Sequence, residues 1–144
     1  MRRFLPDTSC LVAAVCSWHE HHPATVEELV RRARRREDMV MAAPALIETY
    51  SVLTRLPPPY RLRPGDALAA MQGSWSRVEV VTLAATEVWP LLRALPDPGI
   101  AGGSTYDAVV AACARKAKVD VILTWNVGDF GRVAEGIEVK SPRT

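Results

Sequence analysis

The chain has 144 residues, 49% of them hydrophobic and 24% charged, with a formal net charge of +2 at pH 7. That length is one ordinary domain, able to bury a core without disulfide or metal staples, and the composition is that of a soluble globular protein. A charge this small does not by itself announce a nucleic-acid binder, and Cys10, Cys16 and Cys113 lack metal-type pair spacing, reading instead as small buried side chains of a reducing compartment.

In chain order, RRFLPD is a short strand ending at Asp7 and SCLVAAVCSW a helix of small residues. PATVEELVRRARRR is a second helix, where Thr25 and Glu28 have the spacing of a capping box. DMVMAA is a strand; PALIETYSVLTRL is a helix with Leu46, Tyr50 and Leu53 at helical spacing, stopped by Pro57 to Pro59. PGDALAAMQGSW is a helix, RVEVVTL a strand, and TEVWPLLRAL a helix in which a Thr86 cap would put Pro90 in the first turn. PDPGIAGG is a loop, STYDAVVAACARKA a helix and VDVILT a strand; WNVGDFGRV is a loop leading to a short helix, and IEVKSP is a last strand. Strands alternating with helices predict a single α/β domain over 1–144, a three-layer α/β/α sandwich around a mainly parallel sheet. Pro6, Asp7, Thr8 and Ser9 interrupt the amino-terminal apolar run, which argues against a signal peptide, and no run approaches a membrane span. The expected location is the cytoplasm.

Ligands of open parallel sheets sit beyond the carboxyl ends of the strands. Asp7 ends the first strand, Asn126 and Asp129 follow VDVILT, and Asp107 opens a helix starting at that same edge. Glu48, between Ile47 and Tyr50 on a mostly apolar helix, joins them by pattern. Each also has a local role open to it. Asp7 can cap the next helix, Asp107 can pair with Ser104 in a cap, Asn126 and Asp129 suit turns, and Glu48 can be a surface acid. Four acids at one edge nevertheless need compensation. Two unit charges ~4 Å apart interact by about 4 kcal/mol at an effective dielectric of 20. Hard divalent cations with oxygen ligands supply it, and Mg²⁺ keeps waters that leave room for a phosphate. Such ions activate water against phosphodiesters.

These residues bring the chain close to a known family. LPDTSCLVAAV, APALIETYSVLTRL, GGSTYDAVVAACARKAKVDVILTWNVGDF and GIEVKSP, in that order, resemble the PIN-domain nucleases and, within them, the VapC-type toxins of bacterial toxin–antitoxin pairs. The resemblance implies an Mg²⁺- or Mn²⁺-dependent endoribonuclease acting on tRNA or rRNA. It carries over Asp7, Glu48 and Asp107 as central acids. Asn126 falls on a position that is often Asp, and Asp129 matches a frequent family acid. Thr8, Ser9 and Ser104 are supporting polar residues. The implied partners are a cognate antitoxin, a second copy of the chain in a homodimer, and a higher assembly with antitoxin.

Other readings compete. The five arginines Arg31, Arg32, Arg34, Arg35 and Arg36 read as a solvated helix end or as a patch for phosphates. His19, His21 and His22 lack a fourth ligand at zinc spacing. An aspartyl-phosphate phosphatase wants an Asp where Ser9 stands, and a receiver domain wants a Lys near Asn126. A catalytically weak module that binds antitoxin or RNA is the alternative from another class. For RNA contact, Arg115, Lys116 and Lys118 are loose candidates, and Trp125 either stacks on a base or belongs to the core or a dimer interface.

Overall fold

A computed structural model describes residues 1–142. Along them run β1 (Arg3–Pro6), α1 (Thr8–Val15), α2 (His22–Arg34), β2 (Asp38–Ala42), α3 (Ala43–Arg55), α4 (Pro64–Trp75), β3 (Glu79–Val81), α5 (Ala85–Arg93), α6 (Ser104–Lys116), β4 (Val121–Leu123), a 3₁₀ turn (Val127–Phe130) and β5 (Glu138–Lys140). The sheet order is β3-β2-β1-β4-β5 and every neighbouring pair is parallel. The chain winds outward from β1 to β3, then returns to lay β4 against the other side of β1. The winding reverses between β1 and β4, which opens a crevice at their carboxyl ends.

Alternation of side chains along the strands divides the core in two. Leu5 and Ile122 enter a large cluster with Leu11, Leu53, Met71, Ala111 and Phe130. Phe4, Val121 and Leu123 enter a second cluster with Cys10, against which Leu29 of α2 and Trp125 pack. Helices therefore cover both faces of the sheet, as the alternation of elements predicts.

Several local expectations give way to tertiary structure. Thr25 and Glu28 do not form a capping box, because α2 starts at His22 and both lie inside it. The Thr25 hydroxyl donates to the His21 carbonyl at 2.7 Å, and Glu28 is turned inward to Arg31 and Arg32 at 2.8 and 2.7 Å. On α3 the buried stripe is Ala45, Thr49 and Leu53, while Tyr50 is exposed. α5 begins at Ala85, so Pro90 lies in its interior rather than its first turn. The segment after β4 makes a single 3₁₀ turn and no longer helix.

The arginine cluster splits. Arg32 is buried, bonded to Glu28 and to Glu37 at 2.7 Å each, with its guanidinium over the Phe4 ring. Arg36 adopts a positive φ of 59° at the end of α2, where its amide bonds the Ala33 carbonyl and the Glu37 amide bonds that of Arg32. This pattern is a Schellman motif. Arg31, Arg32 and Arg36 thus finish and anchor a helix, leaving Arg34 and Arg35 as its solvated end.

Breaking a buried ion pair by removing one partner is strongly destabilising. Arg32→Ala should cost about 3 kcal/mol in urea unfolding, the low end of that range because Glu28 keeps Arg31. A loss within about 0.5 kcal/mol, typical of surface substitutions, would show that the network carries little.

Candidate active site

The crevice between β1 and β4 is built around Asp7. Its amide extends the strand pairing by donating to the Leu123 carbonyl at 2.9 Å, and its side chain caps α1. Oδ1 accepts from the Ser9 hydroxyl at 2.6 Å and the Cys10 amide at 3.2 Å, and Oδ2 accepts from the Thr124 hydroxyl at 2.6 Å. The two hydroxyls are themselves oriented, Ser9 by the Trp125 amide at 2.9 Å and Thr124 by the Asn126 amide at 2.9 Å. Burial pushes the Asp7 carboxyl above its ordinary value of 3.8, and these hydrogen bonds work against that rise. Oδ1 has both lone pairs engaged, whereas Oδ2 keeps one for a further partner.

Glu48 is tied to this centre by the next residue along. The Thr8 hydroxyl donates to Glu48 Oε1 at 2.6 Å, linking the first turn of α1 to α3. Asp107 is the fourth residue of α6. The chain enters that helix through Gly102 at φ +59°, a conformation that favours glycine. Ser104 is the first helical residue and makes no cap for Asp107. Burial, then the negative charges of Asp129, Asp7 and Glu48, push the Asp107 carboxyl up to about 6. Asp107 is thus the carboxyl on which the fields of the other three acids converge.

A cleft of about 890 Å³ collects most of them. Asp7, Thr8, Ser9, Glu48, Asp107 and Asn126 line it. Asp129 and Ser104 do not; they line a smaller adjoining cavity of about 170 Å³. Asp129 therefore acts on Asp107 from the side of the 3₁₀ turn.

The donor chemistry fits a hard divalent cation. Among the described residues, however, no three His, Cys, Asp or Glu side chains stand close enough to hold one ion together. Such an opening suits Mg²⁺ or Mn²⁺ bound through one or two carboxylates and several waters, and it does not suit a closed protein cage. Asp7 through Oδ2 and Asp107 directly, with Glu48, Asn126 and Asp129 through bridging waters, are the residues that could hold it.

The remaining candidates are placed as follows. Arg115 donates to the Val133 carbonyl at 2.6 Å, and Lys116 pairs with Glu87. Both lie at the far end of α6, about 12 Å along the helix from Asp107, so neither borders the cleft. Lys118 takes the positive-φ position, 55°, of a Schellman motif ending α6. Trp125 is half-buried and packs against the second core cluster. Its indole N–H donates to Thr25 at 2.8 Å and its ring stacks on His21 at 3.8 Å. The histidines form no metal cluster; His19 Nδ1 accepts the His21 amide at 3.0 Å, leaving the neutral ring's proton on Nε2. Sequence reasoning missed Thr124, the second hydroxyl on Asp7, and Arg55 and His19, which line the cleft. A lone Thr at a strand end carries no signal; for Arg55, its seven-residue spacing from Glu48 was available.

An all-parallel α/β domain with acids at its switch point is the class of protein that the fold and site define. The PIN domain family matches residues 4–136, and the chain belongs to it. Within that family it groups with VapC-type members. It is 41% identical to ribonuclease VapC40 of Mycobacterium tuberculosis over 112 residues, 78% of each chain. It is 34% identical to ribonuclease VapC27 of the same organism over 115 residues, 80% of this chain and 79% of the other. Among solved structures, the DNA-bound VapBC of Salmonella typhimurium aligns with a TM-score of 0.71 at 25% identity, covering 99% of this chain and 100% of that one. The sarcin-ricin loop cleaving toxin VapC20 of M. tuberculosis shares the fold, with a TM-score of 0.66 at 20% identity over 93% and 95% of the two chains.

A carboxyl whose folded pKa is raised binds a proton that the unfolded chain has released. Its contribution to stability therefore falls as pH rises from the ordinary 3.8 toward the folded value of about 6. In metal-free buffer, the melting temperature of Asp107→Asn minus that of the parent should increase as pH rises from about 4 to about 6, then level off. A difference independent of pH would contradict the coupling.

Proposed function

We propose that the protein is a divalent-metal-dependent endoribonuclease, the toxin of a toxin–antitoxin pair, acting on tRNA or rRNA. The observation that carries this reading is one cleft lined by Asp7, Glu48 and Asp107 together with Asn126. The similarity to proteins named as VapC ribonucleases supports the RNA substrate, and the likeness to VapBC complexes supports an antitoxin partner. Among the described residues no helix is long and apolar enough to cross a membrane.

A bound Mg²⁺ or Mn²⁺ would neutralise the acids and make a water nucleophilic near neutral pH. The chain's own residues set the geometry. Ser9 and Thr124 fix both oxygens of Asp7, and Thr8 fixes Glu48. Asp107, held within a helix rather than on a loop, keeps its carboxylate in place as substrate arrives. The water oxygen bonds phosphorus opposite the 3′ oxygen, the P–O3′ bond breaks, and the 3′ oxygen gains a proton. The products are a 5′-phosphate and a 3′-hydroxyl.

RNA incubated with the protein and Mn²⁺ should yield those ends, and EDTA should stop the reaction. A 2′,3′-cyclic phosphate would refute water attack, and equal RNA binding without cutting by parent and Asp107→Asn would favour a pure binding module. Thr124→Val, which leaves the acids in place but removes a hydroxyl from Asp7, should lower the cleavage rate about 10–100-fold, the usual cost of losing such a supporting group.

A further inference from the structure

The cleft extends along α3 beyond the acids, and its chemistry changes along the way. Glu48 lies at the acidic end. Ser51 and Arg55 follow at three and seven residues, on the same helical face, and all three line the cleft. Seven residues of helix rise about 10 Å. Arg55 is thus two turns of α3 from Glu48, and among the described residues it forms no ion pair with any of the acids.

Several other basic side chains are committed. Arg2, Arg3, Arg31, Arg32 and Lys116 are in ion pairs, and Arg61 and Arg115 hold backbone carbonyls. Among the described residues, Arg55 is the Arg or Lys that lines the cleft, and it has no ion pair or side-chain hydrogen bond there. His19 lines the same cleft with its ring proton fixed on Nε2, and so offers a second donor. Along α3 the lining therefore passes from the Glu48 carboxylate to the unpaired Arg55 guanidinium, and His19 adds a donor to the same cleft. A planar guanidinium with paired N–H donors matches a phosphate group.

We infer that Arg55 grips a non-scissile phosphate of the RNA strand, given an acidic cleft that cuts RNA as proposed above. The scissile phosphate sits at the acids, and the strand runs along α3 so that a neighbouring phosphate meets Arg55. Arg55 is a positioning residue; it makes no contact with the reacting atoms.

The test uses an Asp107→Asn parent, expected to hold RNA without cutting it, and a fluorescent single-stranded oligoribonucleotide in Mg²⁺ buffer. Kd is read by anisotropy between about 50 and 200 mM salt. One lost phosphate contact on a single strand flattens the slope of log Kd against log salt by about 0.7. Arg55→Gln should show that flattening and a weaker Kd, while Arg55→Lys should keep the parent slope. With Asp107 intact, Arg55→Gln should raise KM with little change in kcat. A slope in Arg55→Gln equal to the parent's overturns the assignment, even if affinity for an acidic protein partner falls. No RNA binding by the parent overturns it as well. The nuclease reading fails separately. If wild-type chain cuts no RNA yet the Arg55→Gln slope flattens, the phosphate contact stands without the cleavage.

Discussion

The Asp7 carboxylate lies buried at the end of β1, held by hydroxyls of Ser9 and Thr124 at 2.6 Å each and by the Cys10 amide. Burying a charge is costly unless hydrogen bonds compensate, and this one is compensated from two strands at once. Ser9 follows β1 and Thr124 follows β4, so the network exists only when these strands are neighbours. The amides of Trp125 and Asn126 complete it from the loop after β4. The sheet order and the acidic centre are in this sense a single constraint. Thr8, between Asp7 and Ser9, extends it to Glu48 and so to the register of α3.

What this arrangement leaves unrelieved is as informative as what it satisfies. No buried polar side-chain atom among the described residues lacks a partner, yet Asp107 stands in the field of three other acids. Local rules are broken where function needs them broken. The chain accepts the repulsion at the edge where its topology opens a crevice, whereas the buried charges of Glu28, Arg32 and Glu37 are paired.

Much of this was legible in the sequence because it rests on pattern. Short apolar runs alternating with helical periods fixed the α/β class, and the position of an acid relative to a strand end located Asp7 and Asp107 at one edge. What failed had tertiary causes. Thr25 and Glu28 satisfy the spacing of a cap, but Trp125 and Arg32, distant in sequence or in the opposite direction along α2, claim their side chains. Arg115 and Lys116 are near Asp107 in sequence but a helix length away from the cleft. Arg55 is the reverse case, since a guanidinium two turns from Glu48 looks like an ordinary helix end until the cleft is seen to continue past Ser51.

The most direct measurement is a titration of the Asp107 side-chain carboxyl carbon by NMR in metal-free protein, repeated in Asp129→Asn. A shared anionic pocket requires a midpoint near 6 in the parent and a clear fall when the Asp129 charge is removed. A midpoint near the ordinary 3.8, unmoved by the substitution, would mean that these acids do not form one site.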